Sequence, residues 1–369
     1  MQAFKNTVSV AIVGAGQIGC ATAAYLQQHG HRAAMWSPTA ARLQVQGDSA
    51  TFTCTGALST SVTVDLLHDP RELADFDVVL ICVPGNAYAQ VLGPLAEHWG
   101  TGQTLVVSGS LSLCPLWLEQ SAQAHGRQVQ VAGWGTTPTT AHFLADGRLH
   151  VNPLRERIDM AALDIDGLPT SASLCAELLG DRFVSADNLL APTLANINPI
   201  AHAAEVIPNL TRMDMGEAWP LFGCFSPAVA RLAKGLDKER LAIAEAFGFS
   251  LPTLEEHYSR SYHIEQGPLE NMAAEIEARG MGPNGPARLE HRYVLEDAPF
   301  GLAFQESLGR MTGVATPVLS ACITLLQAIY GRDFRAENFL VDALALRAAD
   351  ASSLRNRCAA DRSAATLPR

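Results

Sequence analysis

A chain of 369 residues with 48% hydrophobic side chains has enough apolar mass for two ordinary domains, each with its own buried core. Its formal charge of −11, from 26 basic and 37 acidic side chains, repels phosphate backbones and anionic lipid, so nucleic-acid and membrane partners are disfavoured. The expected partners are small molecules, and an anionic one needs specific arginines to hold it against that field.

From residue 8 to residue 14 the run VSVAIVG is almost continuously apolar and β-branched, as in a strand buried on both faces of a parallel sheet. Helical periodicity follows through Ile18, Ala21 and Tyr25, with Thr22 beside them, and stops at Gly30. Residues 32–36 read as a second strand, and further strand-like runs fall at 60–66, 77–82, 104–108 and 129–132 with helix-suited segments between them. Alternation of this kind predicts a doubly wound, mainly parallel α/β sheet. Beyond about residue 185, Ala/Leu/Glu-rich stretches such as 228–247 and 302–330 predict an all-α C-terminal domain. The expected division is 1–187, 188–355 and a polar tail, 356–369, that frays.

The eight cysteines show no CxxC pair and no metal-ligand spacing, and read as reduced core residues. The N-terminus runs into the first strand without a signal-type cleavage site, and no window approaches about 18 uninterrupted apolar residues. The expected compartment is the cytoplasm. An exposed helical face between the domains would suit a homodimer.

Gly14-Ala15-Gly16-Gln17-Ile18-Gly19 fits G-x-G-x-x-G at the end of a strand and the start of a helix, the context that gives this short motif meaning. Gly14 permits the tight turn, Gly16 lets a pyrophosphate approach the backbone, and Gly19 lets helix and strand pack closely, as in a Rossmann domain. Where an NAD enzyme usually carries an Asp or Glu for the ribose 2′-hydroxyl, the second strand runs into MWSPTAAR, residues 35–42. Ser37 and Thr39 can donate to a 2′-phosphate and Arg42 can pair with its charge, so the expected cofactor is NADP (NADPH), with NAD as the alternative. Val83 and Pro84, after the strand ending at Cys82, lie at the sheet edge where ligands bind in open α/β folds.

In the stretch ANINPIAHAAEVI, residues 195–207, Asn198 and His202 stand at i and i+4 and project from one helical face. A lone histidine in an apolar helix is more often a satisfied core residue than a catalyst. His257 and His263, near Glu255 and Glu256, invite a metal reading, but six residues separate them and the expectation is no metal.

The segment GPARLEHRYVLEDAPFGL, residues 285–302, changes the weight of His202. It resembles the opine dehydrogenase family of the octopine and nopaline type, whose pattern GP..L..RY..ED.P.GL it matches at Gly285, Pro286, Leu289, Arg292, Tyr293, Glu296, Asp297, Pro299, Gly301 and Leu302. The resemblance extends to the glycine motif and to the Asn-rich helix with His202. In that family a histidine and an aspartate form the catalytic pair, which by motif position fall on His202 and Asp297. The resemblance implies reductive condensation of the amine of an amino acid with a 2-oxo acid, such as pyruvate, to a secondary amine dicarboxylate. One departure is GWGTTPTT, residues 133–140, which shares only a Thr and a Pro with the family's usual segment, so the resemblance assigns no substrate contact there.

Chemistry assigns further roles. An aspartate bonded to one ring nitrogen of His202 would fix the tautomer and stabilise the imidazolium, although Asp297 ahead of Ala298-Pro299 also reads as a helix N-cap. Arg292 suits a carboxylate clamp, against the alternative of an ion pair with Glu296 four residues on. Asn198 suits a substrate oxygen or the nicotinamide amide, or a helix end. Two rivals remain: a ketopantoate reductase or 3-hydroxyacid dehydrogenase type, which would use a lysine of the kind only Lys234 and Lys238 offer in the second half, and a non-catalytic NADP-binding sensor.

Overall fold

The computed structural model describes residues 8–38 and 43–361, and within them the chain forms two compact units that divide between Thr193 and Leu194.

The first unit is built on one sheet. Its strands are β1 (Val10–Val13), β2 (Ala33–Trp36), β3 (Gln44–Gln46), β4 (Ser49–Gly56), β5 (Thr60–Leu67), β6 (Val78–Ile81), β7 (Thr104–Val107), β8 (Gln130–Trp134), β9 (Ala141–Phe143), β10 (Leu149–Val151), β11 (Ile158–Leu163) and β12 (Phe183–Ala186). The order is β12-β11-β8-β7-β6-β1-β2-β5-β4-β10-β9, with β3 on β4. The six neighbours β5-β2-β1-β6-β7-β8 run parallel, which is the Rossmann order with its switch point between β1 and β6. VAIV in β1 and VVLI in β6 are fully buried, as strands covered on both faces must be. The accompanying helices are α1 (Gln17–Gln28), α2 (Tyr88–Leu92), α3 (Cys114–Ala124) and α4 (Ser171–Leu179). The α/β expectation holds, and the antiparallel additions β3–β4, β9 and β11 enlarge the sheet beyond it.

The chain leaves through α5 (Leu190–Ala195), so the division falls six residues past the expected 187/188. Residues 188–193 stay with the first unit because Asn188 bridges Ala359 and Leu189 N–H donates to Cys358 O at 2.9 Å. The same bonds correct the expected fraying from Asn356. Through Asp361 the tail is docked, with Cys358 fully buried and Ala360 N–H on Asp187 O at 2.8 Å.

The second unit has no strand among its described residues. Its helices are α6 (Asn198–Val206), α7 (Leu210–Asp214), α8 (Pro227–Ala246), α9 (Leu254–Tyr262), α10 (Leu269–Ala278), α11 (Arg292–Leu295), a π-helical turn (Ala298–Ala303), α12 (Phe304–Thr312), α13 (Pro317–Tyr330), α14 (Phe334–Glu337), α15 (Phe339–Ala343) and α16 (Ala351–Arg357). The stretch read as one helical run, 302–330, is broken between α12 and α13, because Gly313 takes φ +73° as a C-terminal cap and Pro317 starts the next helix. Two buried charges of α8 are satisfied by named partners. Arg240, fully buried, bonds Asp237 and the carbonyls of Leu194 and Pro252, and the Glu239 carboxylate accepts from Val318 and Leu319 at the start of α13. No helix among the described residues is long and apolar enough to cross a membrane, and all eight cysteines are free thiols.

Candidate active site

At the carboxyl edge of the sheet, β1 ends in Gly14, whose φ of +117° only glycine adopts easily. A side chain there would meet Cys82 O at 2.7 Å, and one at Gly19 would meet Gly14 O at 2.0 Å, so both glycines are required by close backbone approach. Gly16 is different: it is exposed, and nothing lies within 4 Å of where its Cβ would stand. No side chain caps the N-terminus of α1 and no acidic residue stands in its first turn. The open glycine and the free amides form a cradle that fits a dinucleotide pyrophosphate. Ala15, Gln17 and Ile18 line the same turn half-buried, and Val83 and Pro84 follow β6 at the neighbouring strand end. Ser37 follows β2 half-buried, with no carboxylate in residues 35–38. Thr39 and Arg42 lie outside the described residues.

In the second unit, α6 begins at Asn198, three residues later than the stretch first suggested. The Asn196 side chain accepts the Asn198 N–H at 3.1 Å and Pro199 follows. His202, one turn along, is 8% exposed, and its Nδ1 lies 2.6 Å from Oδ2 of Asp297, which is 1% exposed. A carboxylate only accepts, so Nδ1 carries the proton and Nε2 is left to face chemistry. Asp297 occupies the N-cap of the π-helical turn, yet its side chain makes no capping bond and is committed to His202.

What brings these two residues together, 95 apart in sequence, is the glycine four places after Asp297. A Cβ on Gly301 would stand 2.3 Å from Cβ and Cγ of Pro199, so the π-helical turn can lie against the first turn of α6 only because residue 301 has no side chain. Other positions of the 285–302 segment have equally concrete roles. Gly285 packs on the Trp219 ring, whose Nε1 donates to Pro286 O at 3.0 Å, and Asn338 Nδ2 donates to Pro299 O at 3.0 Å.

Tyr293 stacks on the imidazole of His202 with centroids 3.5 Å apart and planes 12° apart. Burial pulls the His202 imidazole below the ordinary histidine range, against the Asp297 hydrogen bond, which favours the proton. His291, edge-on to Tyr293, is pushed down to about 4 by burial and then by the Arg292 charge. Arg292 forms the ion pair with Glu296 through Nε at 2.8 Å. Its side chain is half exposed, and no acceptor among the described residues takes either Nη. Asn198 is half-buried at the head of α6.

Two members of this group were not evident in the sequence. Tyr293 stands in the RY pair of the motif, a signal that pointed to Arg292 alone. Glu205 is an acid in an otherwise apolar helical run, one turn after His202. The lysines a hydroxyacid-type reductase would need are exposed on α8, with Lys234 held by Glu255 at 2.8 Å.

Known proteins match both units. Residues 185–330 match the family described as NAD/NADP octopine/nopaline dehydrogenase, alpha-helical domain, and residues 10–111 match ketopantoate reductase PanE/ApbA. An opine dehydrogenase of Arthrobacter sp. (strain 1C) is 28% identical over 355 residues, covering 94% of this chain and 97% of that one. Among solved structures, octopine dehydrogenase in complex with NADH and agmatine aligns with a TM-score of 0.75 at 17% identity, over 95% of this chain and 98% of that one. NADP+-bound yersinopine dehydrogenase aligns at 0.68 and 16% identity over the same shares. With the helical-domain match over residues 185–330, the 28% identity to an opine dehydrogenase over nearly the whole chain and the 285–302 motif that carries Asp297, the chain is similar to the opine dehydrogenases from end to end.

Proposed function

We propose that the protein is an NADPH-dependent opine dehydrogenase that joins the amine of an amino acid to a 2-oxo acid and reduces the resulting imine to a secondary amine dicarboxylate. The observation that carries this reading is the buried His202–Asp297 pair at 2.6 Å, set on the family motif. The bound nicotinamide supplies the hydride. The glycine turn and the N-terminus of α1 hold its pyrophosphate, Ser37 with Thr39 and Arg42 favours the 2′-phosphate, and Val83 and Pro84 contact the cofactor beyond it.

His202, lowered by burial, starts neutral and accepts at Nε2 a proton from the substrate ammonium, freeing the amine to attack the keto carbon. The imidazolium so formed is stabilised by Asp297 and returns the proton to the carbinolamine hydroxyl, which leaves as water. The C=N carbon is then the hydride acceptor, and the product amine takes up its last proton from solvent. Arg292 clamps a substrate carboxylate through its Nη groups while Glu296 fixes the guanidinium, and Asn198 binds a substrate oxygen or the nicotinamide amide. Eight free thiols suit a reducing compartment, and we place the protein in the cytoplasm.

The test follows NADPH and NADH oxidation with pyruvate and other 2-oxo acids against a panel of amino acids, in the natural protein and in His202→Ala. Consumption that needs both partners and is lost in the variant is the expected result. Oxidation by a 2-oxo acid alone would point to the hydroxyacid-type rival, and tight NADPH binding without turnover of any pair would point to the sensor.

A further inference from the structure

Glu205 lies one helical turn from His202 on α6 and is 3% exposed. Its Oε1 accepts from the Tyr258 hydroxyl at 3.4 Å, while Oε2 has no partner among the described residues. Oδ1 of Asp297, the oxygen not bonded to His202, is likewise buried without one. Two carboxyl groups thus share the surroundings of one imidazole, and a buried acid without a cationic partner is an expensive thing to keep. The charged and titratable groups around Glu205 are His202 one turn away on its own helix, Tyr258 on α9, Tyr293 on α11, and Asp297. The guanidinium of Arg292 is paired with Glu296, and Arg240 on α8, which packs on α6, is committed to Asp237 and two carbonyls.

We propose that Glu205 is a positioning residue for the His202–Asp297 pair: held as a neutral acid it keeps a second negative charge away from the imidazole, and its ionisation turns the His202 imidazolium into a weaker acid. Burial pushes the Glu205 carboxyl up to about 8, with Asp297 acting in the same direction and the Tyr258 hydroxyl against it. Below that pH the imidazolium has one carboxylate to stabilise it and gives its proton readily to the departing hydroxyl. Above it, two negative charges hold the proton, and the dehydration step slows by roughly threefold to tenfold. The rate therefore steps down to a lower plateau instead of falling to zero. This consequence for the rate rests on the proposed opine chemistry, whereas the coupling of the two side chains does not.

The coupling is read in the free protein, labelled with [ε1-13C]histidine, by following the His202 resonance against pH after assigning it through its loss in His202→Gln. The expected titration carries a second inflection near pH 8, absent in Glu205→Gln and moved to higher pH in Tyr258→Phe, which loses the one hydrogen bond that favours the carboxylate. The step in kcat, measured with whichever amino acid and 2-oxo acid pair the natural protein turns over, follows the same pattern. A His202 resonance with no inflection near pH 8, or with the same inflection in Glu205→Gln, would overturn the proposal. A merely structural role for Glu205 would lower stability and leave both profiles in place. Coupling without turnover of any pair would sink the opine reading alone, and two-partner turnover without coupling would sink this one alone.

Discussion

Gly301→Ala is the most informative single substitution, because it adds one methyl group where two functional segments meet. The new Cβ would stand 2.3 Å from two carbons of Pro199, whereas non-bonded carbons rest at about 3.5–4.0 Å. Relief requires the π-helical turn and α6 to separate by about 1 Å. Pro199 lies three residues before His202 and Gly301 four after Asp297, so the separation acts directly on the 2.6 Å bond between them and stretches it beyond hydrogen-bonding range. Overpacking of this size costs about 1–3 kcal/mol of stability, and an error of about 1 Å in a catalytic pair costs about 100-fold in rate. The assay pairs urea denaturation with kcat for NADPH oxidation at a temperature where the variant is folded. A folded Gly301→Ala protein with kcat within twofold of the natural enzyme would refute the argument that glycine is needed there to seat the pair.

Asp297→Asn keeps the side-chain shape but removes the charge and permits the other imidazole tautomer, so kcat for two-partner NADPH oxidation should fall about 100-fold to 10,000-fold with stability nearly unchanged. Glu205 ionises near pH 4.3 when unfolded but only near 8 in the fold, so its raised pKa gives stability that is fully present below about pH 4.3 and is lost as pH rises through 8. Urea denaturation should therefore show Glu205→Gln gaining on the natural protein from pH 5 to pH 8, by on the order of a few kcal/mol. Ser37→Asp puts a carboxylate where a 2′-phosphate is expected, and kcat/KM for NADPH relative to NADH should fall by about tenfold or more.

The fold was legible where its rules are local. β1, the glycine turn and α1 announce themselves through apolar continuity, three fixed glycines and helical spacing, and the structure needs Gly14 and Gly19 for close backbone approach while Gly16 faces open space. The outer strands β10 and β12 carry little signal because they are short and need strands distant in sequence: β10 pairs with β4, and β12 needs β11 beside it. In β4, Ala50, Phe52 and Cys54 alternate inward, but Ser49, Thr51 and Thr53 around them give the segment the composition of a loop. The punctuation between α12 and α13 was present in Gly313 and Pro317 and was outweighed by the apolar run around it. The His202–Asp297 pair has no local signature at all and was reachable only through the family motif. Glu205 carries no signal of its own, since a single acid in an amphipathic helix is ordinary until its burial is known.

The central claim is that the hydride ends on a carbon that has already joined an amine. It is tested most directly by running the reaction with NADPH deuterated at the transferred position of C4, together with pyruvate and an amino acid, and identifying the labelled product by mass spectrometry and NMR. The account predicts a secondary amine dicarboxylate with a single deuterium on the former keto carbon, formed only when both substrates are present. Deuterium recovered in a 2-hydroxy acid, formed equally well without the amine, would contradict it.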